Sequence, residues 1–209
     1  MTRIKFCGIT SGDDMRAAVR CGCDAIGAIA VPGSARSVLE RDVSWLEAVP
    51  PLVARVAVCR SPREVPEGLL ERVDAVQFYE AAGLDGLRPG LRRIRALRVT
   101  GRPTPGELAA AVEGVDALLL DAWAPHALGG TGVRLDWRVA REVVEALSLP
   151  VMLAGGLSPG NVAEAVRAVR PYAVDVASGV EAAPGRKDHE SLLQFARAVR
   201  AADRDGESR

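Results

Sequence analysis

The sequence predicts an α/β chain folded as a single-domain (β/α)8 barrel. Eight strand-like stretches alternate with helix-like ones along the 209 residues. Most of these stretches are apolar throughout, as expected of parallel strands buried on both faces. Polar, glycine-rich loops recur at their C-terminal ends. A doubly wound sheet also accommodates eight βα units, but no G-x-G-x-x-G follows the first strand, and the chain length suits a barrel at the small end of its range.

The first strand spans 3–7. Alternation sends Arg3, Lys5 and Cys7 to one face and Ile4 and Phe6 to the other. Gly8 breaks it, Thr10 and Ser11 followed by Asp13 and Asp14 supply a helix start, and 14–21 has helical spacing. Residues 24–31 form a small, apolar second strand ended by Pro32 and Gly33. A polar loop with Ser34, Arg36 and Ser37 leads to a helix over 42–49, stopped by Pro50 and Pro51. The third strand is 52–59, the next helix 64–72, and the fourth strand 74–78. Residues 81–89 hold only a short or broken helix, because Gly83, Gly86 and Pro89 interrupt them. The fifth strand is 91–99, followed by a helix over 105–112 that starts with proline.

The sixth strand, 115–121, ends in Leu118-Leu119-Leu120-Asp121, and a long loop carries Gly129-Gly130-Thr131-Gly132. Asp136 caps a helix over 137–147. The seventh strand is 150–154, then Gly155 and Gly156 lead to a helix ending near 169. The eighth strand is 172–177, its loop opens with Ser178 and Gly179, and the last helix covers 188–202. The barrel is thus expected over 1–203, with a frayed tail at 204–209.

Lysine plus arginine and aspartate plus glutamate both number 27, so the net charge is zero and no footprint for nucleic acid or an anionic membrane is expected. Only Lys5 and Lys187 are lysines, which limits Schiff-base chemistry. Four cysteines (Cys7, Cys21, Cys23, Cys59) lie without a C-x-x-C pair. No apolar run is long enough to span a bilayer, so the expected setting is the reducing cytoplasm.

In such a barrel the chemistry sits at the C-terminal ends of the strands. There the sequence places Cys7, Arg36, Gln77, Asp121, the loop with Gly130 and Gly132, Gly155 with Gly156, and Ser178 with Gly179. The last two pairs follow strands seven and eight, where backbone N–H groups and a helix N-terminus commonly face a phosphate. Read singly, they are turn glycines; side by side, they favour a phosphate site. Asp121 ends an apolar strand, so burial should raise its pKa and suit it as an acid, unless it caps a loop or pairs with Arg134. Cys7 alone reads as a small buried hydrophobe. Opposite Asp121 it reads as a base, which Lys5, one layer below, should activate. An acid and a base on facing walls beside a phosphate anchor suit proton transfer on a sugar phosphate.

Four blocks resemble phosphoribosylanthranilate isomerase. They are Lys5-Phe6-Cys7-Gly8-Ile9-Thr10; Asp121 with Gly129-Gly130-Thr131-Gly132 and Asp136-Trp137; Leu153-Ala154-Gly155-Gly156-Leu157 with Asn161-Val162; and Val174-Asp175-Val176-Ala177-Ser178-Gly179-Val180-Glu181 with Gly185-Arg186-Lys187-Asp188. The resemblance implies a TIM barrel of the ribulose-phosphate-binding type. It also implies an Amadori rearrangement of N-(5-phosphoribosyl)anthranilate to 1-(2-carboxyphenylamino)-1-deoxyribulose 5-phosphate in tryptophan biosynthesis. Asp121 would be the general acid, Cys7 the general base, and Arg36 the partner of the anthranilate carboxylate. The glycine loops would hold the phosphate, with Lys5, Gln77 and Asp175 in support. No metal or organic cofactor is implied, His126 and His189 read as solvated loop residues, and the family includes monomers and homodimers.

Three stretches depart from the family pattern. The usual aromatic-rich Gly-Phe-x-Phe is Gly27-Ala28-Ile29-Ala30, the usual Phe and Asn after strand three give way to Cys59-Arg60-Ser61, and Gln-Leu-His-Gly is Gln77-Phe78-Tyr79-Glu80. All three are expected on the side of the mouth that receives the aryl group. The alternatives are therefore a divergent paralogue isomerising a different N-(5-phosphoribosyl) amine, or a non-catalytic sugar-phosphate-binding barrel. Indole-glycerol-phosphate synthase depends on lysine for its ring closure, which this lysine-poor chain fits poorly. The dual histidine/tryptophan-pathway isomerase pairs two aspartates, one of them where this chain has Cys7.

Overall fold

The computed structural model describes residues 1–99, 101–122 and 136–207. In chain order the elements are β1 (Arg3–Cys7), α1 (Gly12–Arg20), β2 (Ala25–Ile29), β3 (Ala54–Cys59), α2 (Glu67–Leu70), β4 (Ala75–Phe78), β5 (Arg92–Val99), α3 (Pro105–Val112), β6 (Ala117–Ala122), α4 (Trp137–Ala146), β7 (Val151–Ala154), α5 (Val162–Val169), β8 (Ala173–Val176), β9 (Glu181–Ala183), β10 (Arg186–Lys187) and α6 (His189–Glu207). Strands β1 to β8 pair in sequence order, all parallel, and β8 returns to β1, closing the barrel. Strands β9 and β10 form a small antiparallel ribbon after β8.

Strand alternation divides the core in two. Ile4, Phe6, Ile26, Ala57, Val76, Phe78, Leu118, Leu120, Leu153 and Val174 point outward and pack beneath the helices. The inward set is small: Val56, Val58, Ala75, Ile94, Ala96, Ala117, Leu119, Met152 and Ala173, with Cys7 and Ala154. Two expectations about the mouth change accordingly. Ala28, Ala30 and Cys59 belong to the outer core, so these departures from the family pattern do not line the mouth.

Three strands, β2, β4 and β6, begin one residue after an aspartate that the sequence pattern places within them. Asp24, Asp74 and Asp116 instead accept hydrogen bonds, each at 2.8 Å, from the backbone N–H of Ile4, Arg55 and Arg93 on the preceding strand. These side chains stitch the N-terminal face, where barrel residues serve stability.

The helical shell is thinner than periodicity predicted. The helix expected over 42–49 is only a 3-10 turn, Ser44–Ala48: Val43 at its start supplies no side-chain cap, and Pro50 and Pro51 follow at once. The helix expected over 64–72 shrinks to Glu67–Leu70, since Pro66 lacks an N–H and holds the residue before it extended. The broken segment 81–89 retains one 3-10 turn, Leu84–Gly86. In the other direction, the last helix runs past its expected end at residue 202, and past the start of the expected tail at 204, through Glu207. Asp203 holds it by accepting from Thr2 N and Oγ1 at 2.9 and 2.7 Å, and Asp205 pairs with Arg167. Among the described residues no helix is long and apolar enough to cross a membrane.

Candidate active site

Inward-facing charge concentrates on β1 and β8. Lys5 is 1% exposed, and its Nζ donates to Asp175 Oδ1 at 2.6 Å across the β1–β8 pairing. Burial alone would depress this lysine, but Asp175 and the neighbouring Cys7 hold it above its ordinary value. Cys7 ends the same strand on the same face, opposite Gly27 of β2. A methyl group on Gly27 would lie 2.9 Å from Cys7 Sγ and 3.1 Å from Lys5 Nζ. The missing side chain of Gly27 therefore gives the thiol and ammonium their room.

The thiol corrects one expectation. Lys5 does favour the thiolate, as Lys187 does, but burial is the larger effect and Asp175 adds to it, so Cys7 is pushed above the usual thiol range. Without a ligand the resting group is a thiol.

Asp121 lies on β6 at the strand's C-terminal end, paired in register with Arg98 of β5 and Ala154 of β7. Burial raises its pKa, as expected, against the opposing pull of a hydrogen bond from Tyr79 and the charge of Arg98. Its partner is Tyr79, whose hydroxyl donates to Oδ2 at 2.9 Å. Arg134, the partner considered from sequence, lies outside the described residues, as do Gly130, Gly132 and His126. Gln77 faces inward on β4, 2% exposed, and its Oε1 has no hydrogen-bond partner among the described residues.

Arg36 reaches over Gly8, whose added methyl group would meet its Cδ at 3.0 Å. Glu181 grips one edge of the guanidinium, accepting from Nε at 2.9 and 3.1 Å and from Nη2 at 2.7 Å. Lys187, with its side chain 0% exposed, donates to the same carboxylate at 2.9 Å and to Ala177 O at 3.0 Å. Burial of Glu181 works against its charge, yet Arg36 and Lys187 hold it below the ordinary glutamate range. The ribbon β9–β10 thus carries a brace for Arg36. In the sequence Glu181 and Lys187 stand within the family-like block at 174–188 with no role legible for either, although Lys187 is one of only two lysines. Tyr79 was missed as well; its signal was its place two residues after inward-facing Gln77.

The loops after β7 and β8 meet closely. Gly155 and Gly156 take φ of +87° and +68°, a region that favours glycine. Asn161 braces this loop, accepting from Ser158 N at 2.8 Å and donating to Gly156 O at 2.9 Å. The turn Ser178–Val180 lies against it so tightly that a methyl on Gly179 would sit 1.9 Å from Leu157 O. His189, read from sequence as a solvated loop residue, begins α6 and lies 2.9 Å from Asp14 of α1.

The family model described as N-(5'phosphoribosyl)anthranilate (PRA) isomerase matches residues 4–198. An N-(5'-phosphoribosyl)anthranilate isomerase of Methanocella arvoryzae is 42% identical, with 96% of this chain and 99% of that protein covered. Among solved structures, the phosphoribosyl anthranilate isomerase of Thermotoga maritima superimposes with a TM-score of 0.81 at 33% identity, covering 96% of this chain and 100% of that one. A phosphoribosyl anthranilate isomerase in complex with reduced 1-(o-carboxyphenylamino)-1-deoxyribulose 5-phosphate gives 0.77 at 31% identity, with 96% and 100% covered. With a closed eight-stranded barrel, and a match along nearly its whole length, this chain belongs to the phosphoribosylanthranilate isomerase family.

Proposed function

We propose that this chain isomerises N-(5-phosphoribosyl)anthranilate to 1-(2-carboxyphenylamino)-1-deoxyribulose 5-phosphate. The observation that carries the reading is the presence of a half-buried carboxyl, Asp121, and a buried thiol, Cys7, inside one barrel mouth beside the glycine turns after β7 and β8. Asp121 donates its proton to the furanose ring oxygen, and the ring opens to a Schiff base. Cys7 takes the proton from C2′, giving an enolamine that tautomerises to the ketone. One proton leaves the enzyme and one is taken up, so neither oxidant nor reductant is needed.

Arg36 supports recognition of the anthranilate carboxylate. Glu181 accepts from its Nε and Nη2, while Nη1 donates no hydrogen bond among the described residues. The inward, unpartnered Oε1 of Gln77 suits a sugar hydroxyl. For the phosphate, backbone N–H groups around Gly155, Gly156, Ser178 and Gly179 are the candidates, at the entry to α5.

Turnover is the direct test. Purified protein given phosphoribosylanthranilate generated in situ is expected to consume the fluorescent substrate with kcat of about 1 s⁻¹ or more. Folded protein without turnover would overturn the reading and direct the search to other N-(5-phosphoribosyl) amines. The phosphate assignment has its own test in Gly179→Ala, which cannot keep both turns where they are. Losing about two charge-assisted hydrogen bonds should raise KM roughly 100-fold and weaken ribose 5-phosphate binding in calorimetry to a similar degree. An unchanged KM would take the phosphate away from this turn.

A further inference from the structure

Tyr79 lies just past the end of β4 and continues the inward alternation of Ala75 and Gln77, packing on the inner core. Its hydroxyl reaches across β5, which lies between β4 and β6, to donate to Asp121 Oδ2 at 2.9 Å. Two more contacts hold the tyrosine. Its backbone N–H donates to Arg60 O at 3.1 Å, and Arg98 of β5 places its guanidinium 4.6 Å from the ring centroid. Ring, backbone and hydroxyl are each anchored on a different strand or strand end.

We propose that Tyr79 is a positioning residue for the isomerisation, fixing the Asp121 carboxyl through Oδ2 so that Oδ1 presents the proton to the sugar ring. The inference rests on Asp121 as general acid. The terminal torsion of an aspartate is broad and roughly two-fold, so nothing in the side chain itself chooses between its oxygens. A donor fixed on Oδ2 makes the choice. The carbonyl oxygen of a carboxylic acid is the better acceptor, which leaves the acid proton on Oδ1.

The donor is also constant. Burial, and then the charge of Asp121, push Tyr79 ionisation far up, so the hydroxyl keeps its proton at any working pH. A histidine, which the family pattern has here, donates in one tautomer and gains charge near neutrality. Among the described residues, the groups facing Asp121 are Tyr79 from the end of β4, Arg98 from β5 and Asp175 from β8. Tyr79 and Arg98 favour the carboxylate, whereas burial, the largest influence, and Asp175 favour the neutral acid. Deleting the phenolic hydroxyl therefore raises Asp121 further.

An ordinary carboxyl is a far stronger acid than an ordinary thiol, and Cys7 is pushed up as well, so the productive pair is the thiolate with the neutral carboxyl. In that order of ionisations, the low-pH limb of kcat/KM marks Asp121 and the high-pH limb marks Cys7. The substrate phosphate also ionises near pH 6, roughly, but equally for every variant.

The experiment compares parent, Tyr79→Phe, Tyr79→His and Asp121→Asn in kcat, KM, the pH profile of kcat/KM and thermal melting. Tyr79→Phe is expected to move the low-pH limb up by about half to one pH unit and to lower kcat about tenfold, with KM within about twofold. Tyr79→His, which keeps an N–H donor, should recover turnover above Tyr79→Phe and add an ionisation near neutrality. A tyrosine that only packs would lower the melting temperature and leave the limb in place. Superimposed pH profiles for parent and Tyr79→Phe, with Asp121→Asn inactive, would overturn the positioning role alone; so would Tyr79→His no faster than Tyr79→Phe. Full turnover by Asp121→Asn would instead remove the acid assignment beneath it, so the two failures are distinguishable.

Discussion

Replacing Asp121 by asparagine, or Cys7 by serine, is expected to lower kcat by about 10²–10⁴ while KM changes little. Asparagine keeps the size of the carboxyl and can still accept from Tyr79, but it has no proton to give. Serine keeps a hydroxyl in the space that Gly27 leaves, but it is a far weaker acid than cysteine and supplies almost no anion. Each change thus removes a proton-transfer group from a site whose shape and phosphate turns remain. The split between kcat and KM is the diagnostic. A loss confined to KM would make the residue a binding group, and unchanged turnover in either variant would end the acid–base assignment. Because burial raises both pKa values, the parent should be active over a plateau, falling at low pH as Asp121 protonates fully and the thiolate becomes scarcer, and at high pH once Cys7 is fully ionised.

Asp175→Asn should be the most destabilising polar substitution in the barrel interior. It leaves the Lys5 ammonium, 1% exposed, without its counter-charge at 2.6 Å. Breaking a buried pair by removing one partner costs about 3–5 kcal/mol. For a chain of this size that corresponds to a fall in melting temperature of roughly 6–20 °C. The pH dependence identifies the cause. In the parent, Lys5 is held above its unfolded value, so its contribution is complete below the unfolded pKa and fades as pH rises through the folded one. In the variant, burial without Asp175 favours the neutral amine, so the penalty is full at neutral pH and shrinks as pH rises toward the unfolded pKa of about 10.4. Melting temperatures of the two proteins should therefore converge at alkaline pH. A constant gap would mean that lost packing, rather than the stranded charge, is responsible.

The parts of the molecule that sequence made legible are those governed by local chemistry. Strand alternation in residues 3–7 correctly put Lys5 and Cys7 on the inner face. Proline and glycine marked where strands and helices stop, and Asp136 caps α4 by accepting from Arg138 N at 2.9 Å. Helix length was less legible around residues 42–49 and 64–72, because apolar spacing says nothing of how often prolines deny the backbone its hydrogen bonds. The outward direction of Cys59 and the packing role of Ala28 were also hidden. Both depend on which face of a buried strand meets helices, and an all-apolar strand carries no polar residue to report it.

Sequence alone determined the barrel, from alternation along one chain, and singled out Asp121 and Cys7 as candidate acid and base from residue type and position; Arg36 as candidate partner of the carboxylate came only from the family resemblance. Tertiary structure alone decided the partners. Tyr79 and Asp121 are 42 positions apart, Arg36 and Glu181 145, and Lys5 and Asp175 170. No periodicity links such pairs; closure of the sheet brings them within hydrogen-bond reach. Closure also buries them, and that burial raises Cys7 despite Lys5 and Lys187, because removing the thiolate from water outweighs the attraction of these charges, the first of which Asp175 already shares.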